Sequence, residues 1–401
     1  HATPERPRFA VGSIGPGRKS VTLGNVDYDT LLDSYAEQAR GLLDGGVDAF
    51  LIETQFDINV AKIAVNACLD VMREKNRRVP LMVQVTMEAA MGTMLVGTTM
   101  EAAIAILEAL PIDVLGMNCA TGPDLMRQHV EVLSGVWPRF LSVQPNAGLP
   151  VVHEGHTHFP LSAEELAKAH LDFVRTFGIN IAGGCCGTTP EHIRQLAEAL
   201  RGVKPKPRQA FGRKPTAETA VVASLYSAVS ARQDLSILIV GERTNTNGSK
   251  KFKEAILNAD IDLCAAIGRE QVKEGSHVVD VCVDYVGRDG VPDMTKVVQR
   301  FAKDVTAPLM IDSTQLDVVE AGLKAAPGKC IVNSINLEDG EEKLAKMCYL
   351  LKRYGAGVVA GTIDEDKIEA MGKTADRKLE IARRLYQMLT VKYAIPETDI
   401  Y

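Results

Sequence analysis

Short apolar runs alternate with longer stretches whose apolar residues recur at helical spacing, and this alternation persists along nearly the whole chain. In the first half, Phe9–Val11, Ala49–Ile52, Leu81–Val85, Val114–Met117, Leu141–Val143 and Ile179–Ala182 predict buried strands. Between them, Tyr28–Leu43, Val60–Arg73 and Ala163–Phe177 predict amphipathic helices. Ser162 with Glu165 three residues on forms a capping box at the start of the last of these, and Gly178 stops it. A second series predicts strands at Ile237–Val240, Val278–Val281, Leu309–Ile311, Ile331–Val332 and Val358–Ala360. Its helices are expected over Gln315–Ala326, Glu341–Tyr354 and Asp376–Val391. Lys204-Pro205-Lys206-Pro207-Arg208 and Gly212-Arg213-Lys214-Pro215 separate the two series and combine prolines with like charges, the composition of a linker.

Strand–helix alternation implies parallel sheets covered by helices. Six strand–helix units precede the linker and five follow it, and Thr398-Asp399-Ile400-Tyr401 looks like a sixth strand cut short. A closed (β/α)8 barrel needs eight strands and about 250 residues. The chain therefore reads as α/β, with two (β/α)8 TIM-type barrels in tandem, each incomplete. The first covers 1–203 without its N-terminal strands, 204–234 is the linker, and the second covers 235–401 without its C-terminal strands. A doubly wound sheet of fewer strands is the alternative and needs no missing parts.

Composition narrows the function classes. With 46% hydrophobic residues over 401, the chain can bury more than one core. The net charge of −6, with signs interspersed, offers no basic stripe for nucleic acid or an anionic membrane. No apolar run has transmembrane length, and the opening residues have no apolar stretch like that of a signal peptide. Eight cysteines without a small secreted framework point to a reduced, cytoplasmic protein.

Three of those cysteines carry the candidate chemistry. Gly116-Met117-Asn118-Cys119-Ala120 and Gly183-Gly184-Cys185-Cys186-Gly187 each follow a predicted strand. Glycines around the vicinal pair let the backbone turn both sulfurs toward one point. Three thiolates at strand ends suit a soft divalent metal, usually zinc, and leave a fourth position open, the catalytic arrangement. A strained vicinal disulfide is the competing reading. Cys68, Cys264, Cys330 and Cys348 lie in apolar stretches and read as core. His156 and His158 lie in the polar stretch Glu154–His158 and read as solvated, and the methionines of Met87–Met100 read as packing.

The two cysteine motifs together resemble the zinc signature of homocysteine S-methyltransferases, and Leu51-Ile52-Glu53-Thr54 looks like that family's substrate-binding strand. Beyond the linker, Gly241-Glu242-Arg243-Thr244-Asn245 resembles the opening of a pterin-binding barrel, and Ile311-Asp312-Ser313-Thr314 and Ile331-Val332-Asn333-Ser334 are similar to two of its later strand ends. A homocysteine module directly before a methylfolate module is the order found in the cobalamin-dependent methionine synthase family. The resemblance implies methyl transfer from 5-methyltetrahydrofolate to homocysteine by way of cobalamin, with Cys119, Cys185 and Cys186 binding zinc and activating the homocysteine thiol. It further implies Glu53 and Asn118 as homocysteine contacts, Glu53 for the ammonium. Asp312, Asn333, Glu242 and Asn245 are the implied folate contacts. Glu53 reads alternatively as a buried acid paired within the barrel, and Asp312 or Asn333 as a cap on the next helix or turn. Cobalamin is expected on another module of a longer polypeptide, since no Asp-x-His-x-x-Gly motif occurs. Asp280-Val281-Cys282 departs from the Asp-x-Asn usual in pterin barrels. Two other functions remain in view: direct methylation of homocysteine by a sulfonium or betaine donor, and a zinc-stabilised binding scaffold.

Overall fold

The computed structural model describes residues 2–153, 155–338, 340–364 and 372–401. The chain divides into two compact units, residues 1–104 with 111–214 and residues 215–401 with 105–110.

In the first unit the strands are β1 (Val11–Ile14), β2 (Ala49–Gln55), β3 (Leu81–Val85), β4 (Val114–Asn118), β5 (Phe140–Gln144), the short β6 (Val151–His153) and β7 (His156–His158), and β8 (Ile181–Ala182). The intervening helices are α1 (Tyr28–Asp44), α2 (Ile58–Glu74), α3 (Met100–Glu108), α4 (Pro123–Val136) and α5 (Ala163–Phe177), and α6 (Pro190–Ala199) follows β8. The main sheet is parallel in the order β1-β2-β3-β4-β5-β8, while β6 and β7 form a separate antiparallel hairpin. Each strand of the sheet lies beside its predecessor, so the order never reverses. A doubly wound sheet requires such a reversal, and that alternative is excluded for this unit. Leu81–Val85 is buried at every position, as expected of a parallel strand covered on both faces. Leu51, Met82 and Val114 cluster on one face, with Ile181 packed against them.

The local signals act as the sequence suggests. Ser162 and Glu165 form a reciprocal capping box at the start of α5, and Gly178 closes that helix in the left-handed region. Asp27 caps α1 by accepting from the Thr30 amide at 2.8 Å.

The second unit opens with an antiparallel hairpin, β9 (Val221–Ala223) and β10 (Ala228–Ser230). Then come β11 (Val240–Gly241), α7 (Lys250–Leu257), α8 (Ile261–Lys273), β12 (Val278–Val281), α9 (Gly290–Asp304) and β13 (Leu309–Asp312). After them lie α10 (Leu316–Ala325), β14 (Ile331–Ile335), α11 (Gly340–Tyr354), β15 (Gly357–Ala360) and α12 (Ala375–Gln387). Its sheet is parallel and again unreversed, β11-β12-β13-β14-β15. The expected sixth strand begins at the end of the chain: Ile400 bridges Val358 in parallel, and Tyr401 exchanges backbone bonds with Val358 and Ala360, both at 2.9 Å. Each unit is thus an open parallel arc backed by helices.

The stretch 204–234, expected as a linker, is packed rather than free. The Lys206 amide donates to Val174 O at 3.0 Å and the Gly212 amide to Pro138 O at 2.7 Å. The Arg208 guanidinium donates to the carbonyls of Trp137 and Arg139, and Ala210 is buried. Residues 221–230 form the β9–β10 hairpin, whose Val222 joins Val278, Met310 and Ile331 in the floor of the second arc. Prolines and cations mark the absence of regular structure here, not the absence of contacts.

Candidate active sites

At the C-terminal end of the first sheet, the chain leaves extended geometry at the ends of β2 and β4. Thr54, Cys119 and Ala120 have φ of 59°, 63° and 59°, left-handed values that each cost a non-glycine residue about 1–2 kcal/mol. Neighbouring groups hold them there. The Cys119 amide donates to Gln144 O at 3.2 Å, and the Thr54 amide donates to Asn118 Oδ1 at 2.8 Å. Strain fixed in this way is typical of functional positions.

Beyond β8 the chain turns through the vicinal cysteines. The Cys185 amide donates to Pro145 O at 2.9 Å, and the Cys186 amide donates to Asn146 Oδ1 at 3.1 Å. The turn ends at Gly187, at φ 78°, where a Cβ would lie 2.2 Å from the Phe159 ring. No other residue fits there. Buried His170, on α5, holds the start of the turn through Nε2 and Gly183 O at 2.7 Å, and burial pushes its pKa down to about 4. The ring is therefore neutral and Nε2 carries the donated hydrogen.

The result is a cluster. The sulfurs of Cys119, Cys185 and Cys186 lie within 4.8 Å of one another, Cys119 to Cys186 at 3.8 Å and Cys185 to Cys186 at 4.0 Å. Tetrahedral zinc with Zn–S bonds of about 2.3 Å requires sulfurs about 3.8 Å apart, so the spacing fits that ion. All three are free thiols. Interaction with the neighbouring Cys185 thiol brings the Cys119 pKa down to about 5, and the same interaction raises Cys185. Burial, with the Cys119 charge, raises Cys186. Asn118 ties the cluster to β2: its Nδ2 donates to Thr54 Oγ1 at 2.8 Å, to Glu53 Oε2 at 3.4 Å and toward Cys185 Sγ at 3.7 Å. Ser13 donates to the other Glu53 oxygen. Glu53 and Asn118 therefore stand together beside the sulfurs.

In the second unit, alternation along the strands gathers polar side chains on one face. Val278, Met310 and Ile331 share the apolar floor, and alternation along each strand puts Asp280, Asp312 and Asn333 two positions on, on the same face. Asp312 and Asn333 are register neighbours on β13 and β14. Glu242, just past β11, is exposed. Asn245 bonds to both acids: Nδ2 donates to Asp280 Oδ2 at 3.0 Å and Asp312 Oδ2 at 2.9 Å, and Oδ1 accepts the Asn247 amide at 2.9 Å. Its arrangement is that of a residue orienting Asp312. Cys282 is buried and receives weak bonds from Asn247 Nδ2 at 3.6 Å and Thr246 Oγ1 at 3.9 Å. Burial pushes its thiol up to about 12.

Cys68, Cys264, Cys330 and Cys348 are buried core, as are Met87, Met94 and Met100. His156 and His158 are exposed on the β7 hairpin and Glu154 lies outside the described residues. No described helix is long and apolar enough to cross a membrane. Sequence reasoning missed Asn146, His170 and Asp280. For Asn146 the available signal was Pro145-Asn146-Ala147-Gly148, a turn at the strand end between the two cysteine motifs.

Residues 1–200 match the family Homocysteine S-methyltransferase, and residues 241–401 match the family Pterin binding enzyme. Over 99% of its length the chain is 44% identical to Methionine synthase of Mycobacterium tuberculosis and 42% identical to that of Mycobacterium leprae. Along essentially its whole length the chain is thus similar to a portion of these methionine synthases. It spans 33% of the length of each of these relatives. Among solved structures, the apo homocysteine methyltransferase MmuM of Escherichia coli aligns with a TM-score of 0.37 at 21% identity, covering 48% of this chain and 64% of that one, too loosely to bear on the fold. The likeness rests on the sequence relatives and the two family matches.

Proposed function

We propose that the chain supplies the homocysteine and folate modules of a cobalamin-dependent methionine synthase, a methyltransferase making methionine and tetrahydrofolate from homocysteine and 5-methyltetrahydrofolate. The observation that carries this reading is the pairing of a three-thiol cluster at zinc spacing with a separate acid-and-amide layer in a pterin-binding domain. Each open arc is read as part of a (β/α)8 barrel.

Cys119, Cys185 and Cys186 would hold zinc. Zinc, when bound, keeps a substrate thiol ionised at neutral pH. Glu53, oriented by Ser13 and Asn118, meets the homocysteine ammonium and retains acceptor capacity for it. Asn118 fixes both Glu53 and the Cys185 sulfur, so amino-acid recognition and sulfur placement share one anchor. In the folate module Asp312 accepts from pterin N–H groups while Asn333, its register neighbour, offers a donor and an acceptor to another edge. Glu242 closes the layer toward solvent. Cobalamin is carried by another module, and the cytoplasm, which keeps thiols reduced, is the setting this chemistry needs.

Two measurements on the full-length protein test the reading. Methionine formation from homocysteine and 5-methyltetrahydrofolate should require cobalamin, and turnover with cobalamin removed would refute it. Purified protein should contain about one zinc per chain, lost in Cys185→Ala. Unchanged zinc in that variant would show the ligands to be misassigned.

A further inference from the structure

Asp280 has no part in the reading above, yet it is the most buried acid among the described residues of the second unit. It is only 2% exposed. Its Oδ2 shares one amide nitrogen, that of Asn245, with Asp312 Oδ2, while its Oδ1 has no hydrogen-bond partner among the described residues. An amide NH2 carries two hydrogens, so each carboxyl group receives one. Among the described residues, no cation offsets the pair. Glu242 and Asp284 add negative charge, Asp284 accepting from Ser313 at 2.8 Å. On the flanking elements Arg243 is turned to Glu274 and Glu270, Arg269 to Asp304, and Arg288 to Asp293. Gln271 of α8, the other polar group on this side, donates to Thr244, and Cys282 stays a neutral thiol.

Two carboxyl groups buried this close cannot both ionise cheaply. We propose that Asp280 holds the proton of the pair, so that Asp312, more open and in register with Asn333, meets the pterin as a carboxylate. The unpartnered Oδ1 marks where that proton resides, since a buried anionic oxygen without a donor is costly. Burial, reinforced by the Asp312 charge, pushes Asp280 up to about 7, above the value of about 6 that burial gives Asp312. Asp280 is thus a positioning residue, acting through Asn245 and Asp312. The inference rests on Asp312 binding folate. Above the titration of Asp280, folate binding must take up one proton: the ionised site, a proton and the ligand give the neutral-Asp280 complex.

The test is titration of the full-length protein with 5-methyltetrahydrofolate from pH 6 to 9. The dissociation constant should rise toward about tenfold per pH unit above the Asp280 titration, with uptake of about one proton measured by calorimetry in buffers of different ionisation heat. Asp280→Asn, permanently neutral and of the same shape, should bind at pH 6.5 within about threefold of the unsubstituted protein and lose the slope. An undiminished slope in Asp280→Asn would overturn the inference while leaving folate binding intact. Absence of folate binding at every pH in the unsubstituted protein would overturn the functional reading and this inference with it. Should Asp280→Asn not fold, infrared difference spectra of the unsubstituted protein decide. A protonated-carboxyl band that strengthens on folate addition at pH 8 supports the inference, and no change in that region overturns it.

Discussion

Removing the Asn118 side chain is the most searching test of how the thiol site is held. Asn118 is fully buried, and its amide spans two strands. The Asn118→Ala change loses the 2.8 Å bonds to Thr54 in both directions, the 3.4 Å bond to Glu53 and the 3.7 Å contact with Cys185. The two short bonds contribute about 1 kcal/mol each, and leaving the Thr54 amide without a partner adds about 1–3 kcal/mol. Thr54 also holds φ 59°, a conformation that persists only while its surroundings enforce it. Relaxation of Thr54 would recover some of that strain, so the expected net loss is about 2–4 kcal/mol in urea unfolding of the metal-free protein. The same variant should bind zinc about tenfold or more weakly in competition with a chelator, as expected when a ligand loses its supporting contact. A loss below about 0.5 kcal/mol together with unchanged zinc affinity would refute the view that Asn118 couples β2 to the sulfurs.

Three further outcomes are expected. The folded-state values of Asp280 and Asp312, about 7 and about 6, lie above the ordinary 3.8, so the folded state keeps protons that the unfolded chain has lost. Their contribution to stability must fall as pH rises from about 4 through about 7, and Asp280→Asn should gain on the unsubstituted protein over that range, by at most about 4 kcal/mol, in urea melts. Gly187→Ala forces a Cβ into the Phe159 ring at 2.2 Å and should cost several times more, in thermal unfolding, than Gly202→Ala, whose Cβ would meet nothing within 4 Å. Lys329 and Asp399 form a buried pair at 2.6 Å. Lys329→Met alone should cost about 3–5 kcal/mol by stranding the carboxylate, and Lys329→Met with Asp399→Leu should recover most of it by the same melts.

What was legible in the sequence follows how locally each feature is determined. The thiol cluster could be read because cysteine has a narrow chemistry and because flanking glycines announce a turn, and both signals sit within a few residues of the sulfurs. The capping box of α5 and its closing Gly178 are local in the same sense. The strand expected at Ile237–Val240 is paired only from Val240, opposite Val278, and Ile237 is 80% exposed. β11 is an edge of its sheet, and apolar residues at an open edge keep a strand's composition without a partner to pair with. The boundary between the two units falls within the expected linker, but its packing was not legible. Arg208 reads as a solvated cation, yet its guanidinium bonds to the carbonyl of Trp137, 71 residues earlier.

Asp280 shows most clearly where reading along the chain stops. Within Val278-Val279-Asp280-Val281-Cys282 it is a single acid in an apolar strand, and attention falls on Cys282 because that residue departs from the familiar pattern. Its significance comes from Asn245, 35 residues before it, and from Asp312 on the next strand, a juxtaposition made through the one amide that both carboxyl groups share. The same geometry shows Asn245 holding both carboxyl groups, a relation that its place at a strand end does not announce. Residue type limits what a side chain can do chemically. Which of the capable residues face the ligand, and which hold the others in place, depends on lateral neighbours that parallel strands bring from 30 or more residues away, and a proton placed between two such neighbours is a property of the sheet rather than of either strand.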